Sequence, residues 1–221
     1  EVKGFVHAER ARADGLAQAE RTLLTLGESA LIEALEEVRY SVSADAFFQT
    51  CTRGAEALYS GLREMLDPRP GEVLHDLYCG GGGIALFLAK SAGEAKVLGL
   101  EMNPSAIADA EANARLNKVA NCRFLRADLS GEAPMPESLP QGFARADAAV
   151  VDPPREGLDA GLARFLAENP VPRLGYVSCN PATLARDAGI LKEAYTLAAV
   201  RAVDLFPHTA HAECLALFVR K

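Results

Sequence analysis

The chain has 221 residues, 49% hydrophobic and 24% charged, a mix that builds a folded core without help from disulfides or metals. A net charge of −7 argues against a strongly basic nucleic-acid clamp within these residues, though not against a local basic patch. No apolar run approaches the roughly 18 residues of a membrane span.

The N-terminus is charged, has no signal-peptide core and does not begin with Met, so a processed or truncated chain is expected. Residues 1–45, and most clearly 1–40, are rich in Ala, Glu, Leu and Arg and are predicted to be a helical remnant of a preceding segment. A single α/β domain is predicted over 46–221. It opens with an amphipathic helix over 52–66, with Thr52 as N-cap and Ala55, Leu58, Tyr59, Leu62 and Leu66 as its apolar stripe. The run Asp67-Pro68-Arg69-Pro70-Gly71 ends it. Strands and helices then alternate. Strands are predicted at 73–78, 96–101, 122–127, 147–152 and 173–179, and helices after Gly83, from Pro104 to Asn117, around 159–168 and after Pro181. A Gly- and Pro-rich loop covers 130–142. This alternation predicts a parallel, doubly wound sheet. The last two strands, near 197–206 and 213–220, have only PHTAHAE between them, too short for a helix, which predicts an antiparallel hairpin at the sheet edge.

The five cysteines, at 51, 79, 122, 179 and 214, are odd in number and widely spaced, with no CxxC pair. Zinc and iron–sulfur readings are therefore weak, and no metal is expected. Reduced thiols in a cytoplasmic protein fit better. Cys79 reads as a packing residue, and Cys122 and Cys214 as strand residues.

The first strand of the alternating part empties into DLYCGGGG. Glycines at a strand-to-helix turn, here Gly80 and Gly82, let the backbone approach a ligand. The next strand ends in Glu101, whose carboxylate can accept from both ribose hydroxyls of an adenosine, and the third ends at Asp128, placed to border an adenine. The glycines alone hardly separate a nicotinamide dinucleotide from S-adenosylmethionine. Two features favour the methyl donor: Asp76, placed to receive an amino-acid ammonium, and Asp152-Pro153-Pro154-Arg155, where prolines make a rigid lip at a strand end.

The segments Phe48-Gln49, Asp76-Leu77-Tyr78-Cys79-Gly80, Asp152-Pro153-Pro154-Arg155, Ser178-Cys179-Asn180-Pro181, Phe206-Pro207-His208-Thr209 and His211-Ala212-Glu213 occur in one order along the chain. In this the sequence resembles the RNA uracil-C5 methyltransferase family. The resemblance implies a Rossmann-like S-adenosylmethionine-dependent fold over 46–221, a seven-stranded, mostly parallel sheet with the antiparallel C-terminal hairpin. It implies Cys179 as nucleophile and Glu213 as general base. It places Gln49, Asp76, Tyr78, Gly80, Gly82, Glu101, Asp128 and Asp152 at the cofactor, and Asp152, Pro153, Arg155 and Asn180 at the base. The chemistry needs this pair: a thiolate added at C6 turns uracil into an enolate, C5 takes the methyl group, and a base removes the C5 proton so that the thiol can leave. The helix following Pro181 is expected to favour the thiolate.

The sequence departs from the family at Cys51, where Asn is common, and at Gly83, where some members carry a side chain that reaches the cofactor. His208 and His211 read as loop-holding residues, and Arg155 and Arg186 as solvated cations. The implied partner is structured ribosomal or transfer RNA, with no membrane partner. The acidic balance leads to the expectation that this chain holds RNA weakly. Two alternatives stay open: an amino-methylase, in which no cysteine is needed, and a non-catalytic cofactor-binding module.

Overall fold

A computed structural model of the chain describes residues 2–9, 21–44, 46–131, 134–136, 138–209 and 211–221. Its elements are, in order, β1 (Gly4–Glu9), β2 (Arg21–Gly27), β3 (Ala30–Leu35), β4 (Val38–Ser43), α1 (Thr52–Leu66), β5 (Val73–Leu77), α2 (Gly83–Ser91), β6 (Lys96–Glu101), α3 (Pro104–Leu116), β7 (Cys122–Arg126), β8 (Ala148–Val151), α4 (Ala160–Glu168), β9 (Arg173–Ser178), α5 (Pro181–Leu191), β10 (Tyr195–Val203) and β11 (Glu213–Arg220).

The helical expectation for residues 1–45 is overturned wherever that segment is described; residues 1, 10–20 and 45 lie outside the described residues. β1 pairs antiparallel with β2, and β3 with β4. The helix-forming residues of ALEEV give way because alternate positions of the second pair reach the core: Leu35, Val38 and Tyr40 are buried. The two-residue turn between β3 and β4 puts Glu36 at φ 49, a costly conformation for a non-glycine residue. Its carboxylate is held there by Arg63 (2.8 and 3.1 Å) and Ser60 (2.8 Å) of α1. The free edge of β4 is blunted by α3: Asn113 Oδ1 accepts from Ser41 N (2.8 Å), and Asn117 Oδ1 accepts from Arg39 N (2.8 Å).

α1 buries its predicted stripe in full. Its N-cap is Cys51 rather than Thr52: Cys51 Sγ accepts from Gly54 N at 3.4 Å, while Thr52 donates to Glu33. Beyond α1 the seven-stranded sheet runs β10-β11-β9-β8-β5-β6-β7. The five strands from β9 to β7 are parallel, and β11 joins antiparallel to β9 and to β10. The sheet is covered on both faces, as a parallel sheet requires. On one side lie α1, α2 and the β3–β4 pair, centred on Leu58, Leu62, Phe87, Val150 and Leu215. On the other lie α4 and α5, centred on Leu100, Val151, Leu162, Tyr176 and Leu191.

β10 starts and ends before its predicted range, so Phe206 to Thr209 form a loop instead of a strand end; Pro207 cannot donate to a ladder and His208 sits at φ 67. The strand order reverses between β5 and β8, and the crevice outside the carboxyl ends of those strands is where a doubly wound sheet receives a ligand.

Candidate active site

The glycine turn after β5 is built under constraint. Tyr78 N and Cys79 N both donate to Leu100 O of β6 (3.0 and 3.1 Å). The bend forces Tyr78 to φ 71, an outlier for a bulky residue. Gly82 caps α2 at φ 83, where a Cβ would lie 3.0 Å from Phe124 and 3.1 Å from Ala110. The Glu101 carboxylate ties the turn to the end of β6: Oε2 accepts from Gly80 N (3.2 Å) and Oε1 from Asn103 N (2.8 Å).

Asp76 lies behind this turn, 1% exposed, and neither carboxylate oxygen has a hydrogen-bond partner among the described residues. Burial drives its carboxyl far above the usual range. Asp152 and Glu101 push the same way, and the nearby Ala85 N–H, outside hydrogen-bond geometry, opposes them. An unpartnered carboxylate beside a bare glycine turn fits the ammonium of the methyl donor that the resemblance implies. On the far side of Glu101, Met102, Arg126, Ala127 and Asp128 line a shallow pocket of about 370 Å³. Asp128 is exposed, and Ser130 hydrogen-bonds its Oδ1 through Oγ (2.7 Å) and N (3.0 Å), holding its carboxyl low.

The other half of the crevice is formed by the ends of β8 and β9 and the start of β11. Cys214 of β11 pairs with Ser178 of β9, the last pair of that ladder, so Glu213 and Cys179 both lie just beyond it at the same end of the two strands. The loop carrying the thiol is braced. Ser178 Oγ donates to Asn180 O (2.9 Å) and accepts from Asn180 N (3.1 Å). Asn180 Oδ1 caps α5 by accepting from Ala182 N (3.1 Å), and Nδ2 donates to Arg155 O (3.2 Å), which also accepts from Thr183 Oγ1 (3.3 Å). Asn180 therefore fixes the segment after β8 against α5. Farther along, buried Asp187 Oδ2 accepts from Leu158 N (2.8 Å) and Tyr176 Oη (2.7 Å), and Arg186 pairs with Oδ1 (2.8 Å). Arg186, though half exposed, thus also braces the loop through Asp187 and Leu158 O (3.2 Å) and does not stand alone in solvent.

The groups facing one another here are mostly acidic. Burial raises the half-buried Cys179 thiol, Glu213 and Asp152 raise it further, and Arg155 opposes them. The net shift is opposite to the thiolate-favouring one expected from the terminus of α5. Burial raises Glu213, again against Arg155. Burial, then Glu213, push Asp152 up to about 7. A protonated thiol beside carboxylates of raised affinity for protons can deliver sulfur to an electron-poor centre and move a proton within the same cleft.

Of the remaining predicted residues, Gln49 is buried just ahead of α1, Pro153 is buried behind the lip, and Arg155 is exposed. Tyr78 is half-buried on the face carrying Asp128, Asp159 and Asp187. Cys79 is buried against Gly99, where a Cβ would stand 2.8 Å from its sulfur. His208 and His211 are exposed, and neither makes a side-chain hydrogen bond among the described residues, though the His211 ring lies edge-on to Phe206 (6.2 Å); the loop is tied by Thr209 Oγ1, which donates to Phe206 O (2.7 Å), and by Asp204, which accepts from Phe206 N (3.2 Å). The sequence reading missed Asp187 and Tyr176. The signal was present in α5, where Asp187 takes a place in the stripe formed with Leu184 and Leu191, a position a lone solvated carboxylate would not occupy.

Residues 16–221 match the family model described as tRNA (Uracil-5-)-methyltransferase. An uncharacterized RNA methyltransferase of Nitratidesulfovibrio vulgaris is 38% identical over the whole chain and 47% of its own length; one of Geobacter sulfurreducens is 44% identical over 88% of the chain and 38% of its own length. The chain thus spans less than half the length of these curated relatives. The crystal structure of the Pyrococcus abyssi tRNA (uracil-54, C5)-methyltransferase in complex with S-adenosyl-L-homocysteine superposes with a TM-score of 0.81 at 29% identity, over 99% of this chain and 51% of that one. With this sheet order, this crevice and a family match over nearly its whole length, the chain belongs to the tRNA (uracil-5-)-methyltransferase family.

Proposed function

We propose that this chain is the catalytic part of an S-adenosylmethionine-dependent enzyme that methylates C5 of a uridine in RNA. The observation that carries the reading is the meeting of Cys179, Glu213 and Asp152 at the strand ends beside the unpartnered Asp76. When bound, the cofactor supplies an electrophilic methyl group. Asp76 would take its ammonium, Glu101 its ribose, and the pocket at Asp128 its adenine.

Cys179, which is only half-buried, gives up its proton to solvent, and its sulfur adds to C6 of the uracil, moving the ring π electrons towards O4. C5 becomes nucleophilic and takes the methyl group. Glu213 removes the C5 proton, and the returning electrons expel the Cys179 sulfur and restore the C5=C6 bond. Burial of Glu213 raises its affinity for that proton. Arg155, the cation acting on both groups, steadies negative charge on the sulfur or on the pyrimidine. The target base must be splayed out of its stack for C6 to meet the thiol. A cytoplasmic setting keeps such a thiol reduced.

The likeness to a tRNA enzyme supports transfer RNA as substrate; ribosomal RNA is the other arm of the test. The chain is incubated with S-adenosylmethionine and either transcript, and the digested nucleosides are resolved by mass spectrometry. 5-Methyluridine from one transcript supports the proposal and names the RNA class. N-methylated nucleosides, or none from a protein that binds the cofactor, contradict it.

A further inference from the structure

Tyr59 belongs to the apolar stripe of α1, yet its hydroxyl is not accounted for by packing. The ring is 5% exposed and sits edge-on to Phe87, with centroids 5.6 Å apart. No described residue hydrogen-bonds its Oη, whereas neighbouring Tyr40 donates to Gly83 O at 2.9 Å. The hydroxyl is not sealed off, since the fully enclosed side-chain oxygens without a partner among the described residues are those of Asp76; its donor is left open to a ligand.

Three observations locate what it faces. A Cβ at Gly83 would stand 2.6 Å from Tyr59 Oη but 3.4 Å from Cζ, so the hydroxyl points end-on at the first residue of α2. α2 has no side-chain cap, since its N-cap is Gly82, and while the Ala85 N–H faces Asp76, the Gly83 and Ile84 amides are left open to an anion. The carboxylates of Asp152 and Asp76 both act on the Tyr59 phenol, and both oxygens of Asp76 are without a partner. A phenolic donor, an uncapped helix start and an unpaired buried carboxylate therefore surround one small volume. A zwitterion satisfies all three at once, its ammonium on Asp76 and its carboxylate on the helix start and the phenol.

We propose that Tyr59 is a cofactor-positioning residue whose hydroxyl donates a hydrogen bond to the α-carboxylate of the methionine moiety, and that Gly83 lacks a side chain to leave that hydroxyl its place. This rests on S-adenosylmethionine being the ligand of the crevice. Holding both ends of the amino acid fixes the direction in which the methyl group points towards the base.

Calorimetric titration of the chain, without RNA, compares S-adenosylmethionine with its decarboxylated analogue, which keeps the ammonium. Tyr59→Phe should weaken S-adenosylmethionine about tenfold and shift the decarboxylated analogue by less than about twofold. Gly83→Ala should weaken S-adenosylmethionine similarly. In the Tyr59→Phe background, where nothing meets the new methyl group closer than ordinary contact, Gly83→Ala should add little further loss. Equal weakening of both ligands by Tyr59→Phe, unchanged binding of S-adenosylmethionine, or additive losses in the double variant would overturn the assignment to Tyr59 alone. A wild-type chain that binds neither ligand overturns the cofactor reading, and the role of Tyr59 with it.

Discussion

Glu213 and Cys179 flank the Cys214–Ser178 pair, the last of the ladder between β11 and β9. The last strand of the sheet enters between the fifth parallel strand and the edge, so residues 34 positions apart in sequence become neighbours. Brought near in this way, the carboxylate raises the thiol pKa while Arg155 lowers it. The sign follows from charge: a nearby anion disfavours the thiolate and a nearby cation favours it. Glu213→Gln should therefore shift the pH midpoint for alkylation of Cys179 by iodoacetamide to lower pH, and Arg155→Gln should shift it to higher pH. Peptide mapping by mass spectrometry separates Cys179 from the buried Cys79 and Cys122. Shifts in the same direction for both variants would break the link between sulfur and carboxylate.

Asp76 makes the unliganded protein pH-sensitive. Its folded-state pKa is raised by burial, so its contribution to stability is fully present below the unfolded value of about 3.9 and is lost as pH rises through the folded pKa. Asp152, raised to about 7 for the same main reason, acts in the same direction from about pH 4 to 7. His75 opposes them: burial lowers it although Phe143 O sits 2.9 Å from Nε2, so it withdraws stability as pH falls below about 6.5. Asp76→Asn isolates the first effect. At pH 8 this variant should melt several degrees above wild type, about 1 kcal/mol or more, and the difference should shrink towards pH 4. The same variant should lose cofactor binding. A lower melting temperature at pH 8 would contradict the account.

The sheet was legible because its strands are short apolar runs separated by glycine, proline and amphipathic helices, and because Cys179 and Glu213 fall at strand ends that any doubly wound sheet turns towards one crevice. Less legible were contacts that depend on tertiary neighbours. Glu36 takes a strained turn only because Ser60 and Arg63 hold it, and nothing in EALEEV announces those partners. Cys51 caps α1 because the chain enters extended at φ −111, whereas Thr52 looked the better cap by residue type. The direction of the Cys179 shift depended on how many carboxylates share its cleft, a sum that a single helix terminus does not reveal.

Asp187 is the next most sensitive position. Asp187→Ala leaves the Tyr176 hydroxyl and the Leu158 amide without their acceptor in a buried setting, which should cost about 3 kcal/mol in urea denaturation. Because the contact to Leu158 N pins one end of the loop that begins at Arg155, methyl transfer should fall even where the variant is fully folded. A loss of less than about 0.5 kcal/mol, the size of an ordinary surface substitution, would mean that the network does not brace the loop.

The net charge of −7 bears on the partner. Filter binding with structured RNA should give weak affinity for this chain alone, with a shallow dependence on salt because few phosphates are neutralised. Tight binding that falls steeply between about 50 and 200 mM salt would show instead that a local basic surface clamps the RNA.

The most direct test of the central claim uses RNA carrying 5-fluorouridine at the target position, mixed with the chain and S-adenosylmethionine and resolved on a denaturing gel. Fluorine at C5 cannot be removed as a proton, so sulfur that has added at C6 stays bonded. The expected result is a slowly migrating protein–RNA species whose cross-linked peptide contains Cys179, absent from Cys179→Ala. Methylation of ordinary RNA together with no adduct on the fluorinated RNA, or an adduct that persists in Cys179→Ala, would contradict it.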